Sequence, residues 1–221
     1  MQQDEKIFLD IETLPPAECG HTDCNGRDPC PDEEYRKLSL RAEQGRVLCI
    51  GLIVEADGVI TQQGVLGRDR CTLRFHLDEA RTLRAFWKQF ERFDIRRDLV
   101  VGHNIYDFDL LFLYKRSIIH QVKPPVMLSF ARYRSQPIFD TMREWEKWAF
   151  NRISLSDLAR ALNLKSSKTG GMNGSKVYES FMKGHHLPIA DYCLRDVQLT
   201  REIFYRMRFE ECAFVSVAKA G

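Results

Sequence analysis

The sequence predicts an α/β protein, a mixed β-sheet flanked by helices. Two apolar runs in hairpin order come early, at residues 46–55 and 59–65, joined by the turn Ala56-Asp57-Gly58. After them, short apolar strands alternate with segments of helical period at 78–93, 105–119 and 154–162. A hairpin gives antiparallel pairing, and strand–helix alternation gives parallel pairing, so one sheet carries both.

Taken in order, residues 6–9 are a short, mostly apolar run that reads as a buried strand. Asp10 and Glu12 lie at its end. Side chains two apart on a strand leave the same face, so both carboxylates can reach one point. Residues 14–28 are polar and rich in Pro, Gly and Cys. Pro31 opens a helix with Asp32, Glu33 and Glu34 in its first turn, where proline and acids are favoured. The hairpin strands follow. Residues 78–93 place Leu83, Phe86, Trp87 and Phe90 on one inner side. Leu99–Gly102 is a short strand running into His103 and Asn104.

Residues 105–119 repeat Phe108, Leu111, Phe112 and Ile119 at helical intervals, with Asp109 near the start. Ile138–Asp140 is an edge or final strand, and Asp140 reads as a turn or supporting acid. Residues 154–162 form a helix capped by Ser154, with Asp157 three residues on. The last long helix begins near Pro188 and runs to about residue 207. Tyr192 and Asp196, four apart, are neighbours on one of its faces.

At 221 residues and 25.8 kDa, the chain suits one domain over 1–221, with a Cys-rich insertion at about 14–30. It is too short to hold a polymerase as well. Net charge +2 and pI about 8.1 neither support nor exclude a nucleic-acid partner. The segment MQQDEK is acidic and polar, unlike a secretory signal. No run approaches the ~20 apolar residues of a membrane helix. Seven cysteines, an odd number, argue against a complete disulfide framework. A cytoplasmic protein with reduced or metal-bound thiols and no membrane contact is expected.

Three distant elements can therefore bring Asp10, Glu12, Asp109 and Asp196 together. Four carboxylates repel one another and resist desolvation, so such a cluster requires a cation. All-oxygen ligation favours Mg²⁺ or Mn²⁺. Two such ions suit in-line phosphoryl transfer, with Tyr192 orienting or deprotonating the attacking water. Each piece also has a plain structural reading. Asp10 and Glu12 alone are acids at a strand end, Tyr192 and Asp196 an ordinary helix face. Asp107 competes with Asp109, either as the ligand or as a helix cap.

The ordered set resembles the DEDD exonucleases, in their tyrosine subgroup. Asp10-Ile-Glu12 matches the first motif, Asn104 with Phe108 and Asp109 the second, and Tyr192 with Asp196 the third. The histidine subgroup would place His five residues before the last Asp, where Asp191 stands. The stretch from Pro137 through residues 153–164 is similar to the proofreading domain of family-B DNA polymerases, and most of residues 5–210 resembles the stand-alone bacterial exonucleases related to it.

The resemblance implies a ribonuclease H-like fold and a two-metal 3′–5′ exonuclease. Its expected substrate is a single-stranded DNA or RNA 3′ end, DNA favoured, and its products nucleoside 5′-monophosphates. A separate polymerase or repair partner would fit. It implies that Asp10 bridges both ions and that Glu12 and Asp196 complete the nucleophile-side ion. Asp109 would support the second ion, with Tyr192 positioning the water. A catalytically silent binding module and a structure-specific endonuclease are the competing readings.

Leu14 is a candidate contact to the terminal nucleotide by the same analogy. Asn104 holds the strand-to-helix turn or touches substrate, and Phe108 packs in the core or stacks on a base. His103 reads as a turn histidine. Residues 165–177, with Lys165, Lys168 and Lys176, are a Gly-rich loop that either contacts phosphates, Lys176 foremost, or is simply solvated. They do not form a Walker A loop. Cys19, His21, Cys24 and Cys30 offer four donors for a structural Zn²⁺, though their spacing is irregular and lacks CxxC. The other reading is a surface insertion.

Overall fold

The computed structural model describes residues 4–19, 28–167 and 171–212. Its strands are β1 (Glu5–Leu14), β2 (Arg46–Ala56), β3 (Val59–Leu66), β4 (Leu99–Gly102) and β5 (Ile138–Asp140). They form one sheet in the order β3-β2-β1-β4-β5. The β1–β2 and β2–β3 pairs are antiparallel, and the β1–β4 and β4–β5 pairs are parallel. The sheet is thus mixed, as expected.

The helices are α1 (Glu33–Lys37), α2 (Glu79–Trp87), α3 (Asp109–Ile119), α4 (Thr141–Glu146), α5 (Leu155–Ala161), α6 (Val177–Met182) and α7 (His186–Met207). None of the described helices is long and apolar enough to cross a membrane.

Alternation along β1 sorts its side chains between two layers. Ile7, Leu9 and Ile11 join a buried cluster with Leu83 and Phe86 of α2 and Leu110 and Leu113 of α3. Phe8 belongs instead to a cluster with Val197, Phe204 and Tyr205 of α7. Asp10 and Glu12 share the parity of Phe8 and therefore face the α7 layer. Burial on both faces explains why this central strand reads as a continuous apolar run interrupted only by its acids.

Buried ion pairs tie the helices down. Arg201 donates to Glu55 of β2 at 2.6 Å, and the Tyr205 hydroxyl donates to the same carboxylate. On the other layer, Glu79 accepts from Arg116 at 2.8 and 2.6 Å and from the Val47 N–H at 2.8 Å. Removing one partner of such a pair leaves a buried charge unmatched, which costs roughly 3–5 kcal/mol.

The structure differs from the sequence expectation in several elements. β1 runs on to Leu14, so the two acids sit inside the strand, and a bulge falls between Glu12 and Thr13. Asp32 and Asp78 cap their helices from outside, accepting from the N–H groups of Glu34 and Arg81. α3 begins only at Asp109, because Asn104 adopts φ +61° and the Asp140 carboxylate captures the N–H groups of Asn104 and Tyr106. Ser154 accepts from the Asp157 N–H and donates to its carboxylate, the shortened capping box expected there. α4 and α6 were not foreseen, and α7 begins at His186, two residues before Pro188.

Candidate active site

Glycine sets the distance between β1 and α7. Asp10 pairs with Gly51 across the β1–β2 ladder, and Glu12 pairs with Cys49. A Cβ at Gly51 would lie 2.8 Å from the Cys193 sulfur and 2.9 Å from Val197 Cγ2. The missing side chain lets α7 rest directly on the strands beside the acids. The Cys193 thiol then donates to the Asp10 carbonyl at 3.5 Å. One turn of α7 around Cys193 carries Tyr192 and Asp196 to the same place. Both are buried, as is Glu12. Donor atoms of Asp10, Glu12 and Cys193 lie within 4.8 Å of one another.

Asp109 comes from the opposite layer. β4 pairs with β1 only through Lys6–Phe8, so the β4-side edge of β1 is open beyond Phe8. There the Ile11 N–H donates to Asp109 Oδ1 at 3.0 Å. Asp109 is also the first residue of α3, where the helix dipole favours an anion. Asp107 takes no part in this arrangement: its carboxylate pairs with Arg143. Asp140 caps α4 through the N–H groups of Met142 and Arg143 while bracing the turn at Asn104. It thereby supports the start of α3 without lying among the four acids.

The electrostatics follow from burial. Desolvation holds the Asp10 carboxyl well above the ordinary range, and Asp109, Asp196 and Glu12 push the same way. Burial likewise raises Glu12, helped by Cys49, Asp196 and Asp109. Asp109 rises to about 7 through burial, despite the restraining Ile11 hydrogen bond. Burial and then the Asp196 charge push the Tyr192 phenol far upward, and it hydrogen-bonds to Asp196. Clustered carboxylates with these shifts are what a hard divalent cation relieves, and a donor set of oxygens from Asp10, Glu12, Asp109 and Asp196 fits one. The Cys193 thiol, held protonated well above its usual range by its hydrogen bond to Cys49 and by burial, is a poor competitor.

An open cleft of about 570 Å³ reaches this centre, lined among others by Asp10, Asn104, Phe108, Asp109 and Arg152. Asn104 Oδ1 is buried and has no hydrogen-bond partner among the described residues. Phe108 is partly buried, with its ring 5.6 Å from Phe112. His103 is held by Thr141 Oγ1 and the Ile153 carbonyl, both at 2.9 Å, and burial pulls its pKa to about 4. It is a neutral structural histidine.

Leu14 is 1% exposed, in the buried cluster that also contains Tyr192. Its side chain backs the tyrosine and leaves no open surface for a nucleotide. Lys176 is exposed and donates to the Gly171 carbonyl at 2.9 Å; Lys168 lies outside the described residues. Of the four zinc candidates, His21 and Cys24 lie outside the described residues. Cys30 is buried, its N–H donating to the Tyr178 hydroxyl. Sequence reasoning passed over Gly51 and Arg152. A glycine inside the apolar run 47–54 was the available signal for the first.

Fold and site together define the class: a ribonuclease H-like nuclease, a mixed five-stranded sheet with acids from its central strand and two flanking helices. The chain belongs to the family described as predicted 3′–5′ exonucleases related to the exonuclease domain of PolB, which matches residues 40–217. That match takes in Asp109, Tyr192 and Asp196 but begins after Asp10 and Glu12, which the sheet itself joins to the rest. No curated protein matches the chain. The family makes this chain a nuclease, a hydrolase with a nucleic-acid substrate, of a kind that uses divalent metal.

Proposed function

We propose that the protein hydrolyses single-stranded nucleic acid from its 3′ end, DNA in preference to RNA, releasing nucleoside 5′-monophosphates. One observation carries this reading. Asp10 and Glu12 share one face of β1, the Ile11 N–H between them holds Asp109, and the Asp196 charge adds to burial in raising all three carboxyls. Carboxylates gathered in this way repel one another and resist desolvation, and a cation relieves both costs.

Asp10, Glu12, Asp109 and Asp196 would hold two Mg²⁺ or Mn²⁺ ions. Bound there, these ions supply charge stabilisation for an in-line displacement at phosphorus. The chain's own residues do the rest. Burial and the Asp196 charge hold the Tyr192 phenol protonated in the metal-free chain, where it hydrogen-bonds to Asp196; it would fix that carboxylate and the position of the attacking water. Asn104 lines the cleft, where its side chain would contact the terminal nucleotide. Phe108 offers a ring edge to the terminal base. Burial of Glu12, Asp109 and Asp196 lowers the local dielectric and strengthens each of these contacts. The seven cysteines support a reducing, cytoplasmic setting, where a separate polymerase or repair partner could supply ends.

The test uses matched 3′-labelled and 5′-labelled single-stranded DNA and RNA with Mg²⁺, Mn²⁺ or EDTA. A 5′-labelled strand that shortens stepwise only with metal supports the reading. Cleavage of a circular strand shows an endonuclease instead. An absence of cleavage in every condition turns the assignment toward a binding module.

A further inference from the structure

Next to the cleft, one carboxylate faces three guanidinium groups. Asp107 pairs with Arg143, lies 3.7 Å from Arg132 and 4.0 Å from Arg152. Arg143 is largely buried, whereas Arg132 and Arg152 are 66% and 68% exposed. Asp107 cannot satisfy all three, and the exposed guanidinium groups of Arg132 and Arg152 reach solvent. Arg152 also lines the cleft that contains Asp10 and Asp109, which makes the basic cluster continuous with the site.

Aromatic residues flank these arginines in the chain: Tyr133 follows Arg132, and Phe150 precedes Arg152 by two residues. The Tyr133 ring packs on Trp148 at 5.3 Å, and Trp148 packs on Tyr106 at 5.2 Å. Tyr133 is 76% exposed, and Phe150 is wholly exposed. The backbone bends to achieve this: Tyr133, Lys147 and Trp148 have φ of +64°, +50° and +64°. Left-handed conformations are costly for bulky side chains, and such strain concentrates at functional sites.

The geometry points to residues 132–152 as the track for the single strand entering the cleft. Arg132 and Arg152 take its phosphates, Arg143 holds Asp107 in place behind them, and Tyr133 and Phe150 stack on its bases. Interleaved basic and aromatic groups suit a flexible single strand, whose bases are free to stack, better than a duplex. This track rests on the exonuclease reading only for which end of the strand lies in the cleft. Its phosphate and base chemistry is common to DNA and RNA.

The experiment measures anisotropy of labelled dT4, dT12 and U12 with the full chain in EDTA, across a salt series. Wild type, the double variant Arg132→Ala/Arg152→Ala, and Phe150→Ala are compared. Every substituted side chain is exposed, so folding is expected to persist, with circular dichroism as the check. Wild type should bind dT12 about tenfold or more tightly than dT4, and the double variant should lose that gain. Its log–log salt slope should fall by about 1.4, roughly 0.7 for each lost phosphate contact. Phe150→Ala should weaken dT12 severalfold with its slope intact. The U12 arm assigns the track to DNA, RNA or both. Unchanged dT12 binding and slope in the variants would overturn the track, as would no length preference in wild type. The two readings fail separately. Track-dependent binding without metal-dependent cleavage removes the exonuclease and keeps the track. Cleavage untouched by the variants does the reverse.

Discussion

The Asp109 carboxylate accepts the Ile11 N–H at 3.0 Å, and Ile11 stands between Asp10 and Glu12 on β1. A single hydrogen bond thus fixes one candidate ligand against the strand that carries two others. It joins α3, which delivers Asp109, to the open edge of the central strand.

Asp109→Asn and Asp109→Ala should therefore differ. The amide oxygen of Asn still accepts from Ile11, so Asp109→Asn should keep its fold and lose activity by ~10²-fold or more, as expected for lost charge stabilisation. Asp109→Ala leaves the N–H unpaired as well and should lose a further ~1 kcal/mol of stability. Urea unfolding beside kinetic assays checks both. Equal stability of the two variants would show that the bond contributes nothing.

Gly51→Ala should separate α7 from β1. Its Cβ would meet Cys193 and Val197 below 3.0 Å, an overpacking expected to cost about 1–3 kcal/mol. A displacement near 1 Å at Tyr192 and Asp196 should reduce kcat by about 10²-fold. Gly64, on β3, has nothing within 4 Å of a built Cβ, so Gly64→Ala serves as the control. Chemical denaturation and single-turnover rates measure the pair.

Tyr192→Phe should slow turnover by about 10²-fold, the low end for loss of one preorganised hydrogen-bond donor. Because burial and Asp196 keep the phenol protonated, the loss should be constant from about pH 6 to 9. Wild-type rates in this variant would remove the role given to the hydroxyl.

Much of this arrangement was legible in the sequence, for physical reasons. The acids on β1 and α7 follow strand and helix periods, which are local. The hairpin around Asp57-Gly58 and the cap at Ser154 are equally local. What the sequence hid depends on tertiary contact. The start of α3 is delayed by the Asp140 carboxylate, 31 residues beyond Asp109. The continuation of β1 to Leu14 depends on pairing with β2. The burial of Leu14 against the α7 layer and the close approach at Gly51 needed the packing of distant segments.

Metal stabilisation should depend on pH. Asp109 titrates near 7 in the folded chain against an ordinary 3.8, so the metal-free fold binds extra protons between these values. That contribution is fully present below about 3.8 and is lost as pH rises through 7; Asp10 and Glu12 act in the same direction. A cation requires the ionised forms, so Mn²⁺ should raise Tm more at pH 8 than at pH 6. His103 works oppositely, since its pKa falls from 6.5 to about 4 and its contribution is lost as pH falls through that window. Melting curves in EDTA and in Mn²⁺ from pH 5 to 8.5 separate the effects. A pH-independent Mn²⁺ increment would contradict the first.

The central claim is that β1, α3 and α7 build one metal centre from Asp10, Glu12, Asp109 and Asp196. Calorimetric titration with Mn²⁺, in the presence of a nucleoside 5′-monophosphate, tests it most directly. Two ions per chain should bind to wild type, while Asp10→Ala, folded by circular dichroism, should bind neither with comparable affinity. Two ions bound equally well by Asp10→Ala would contradict the account.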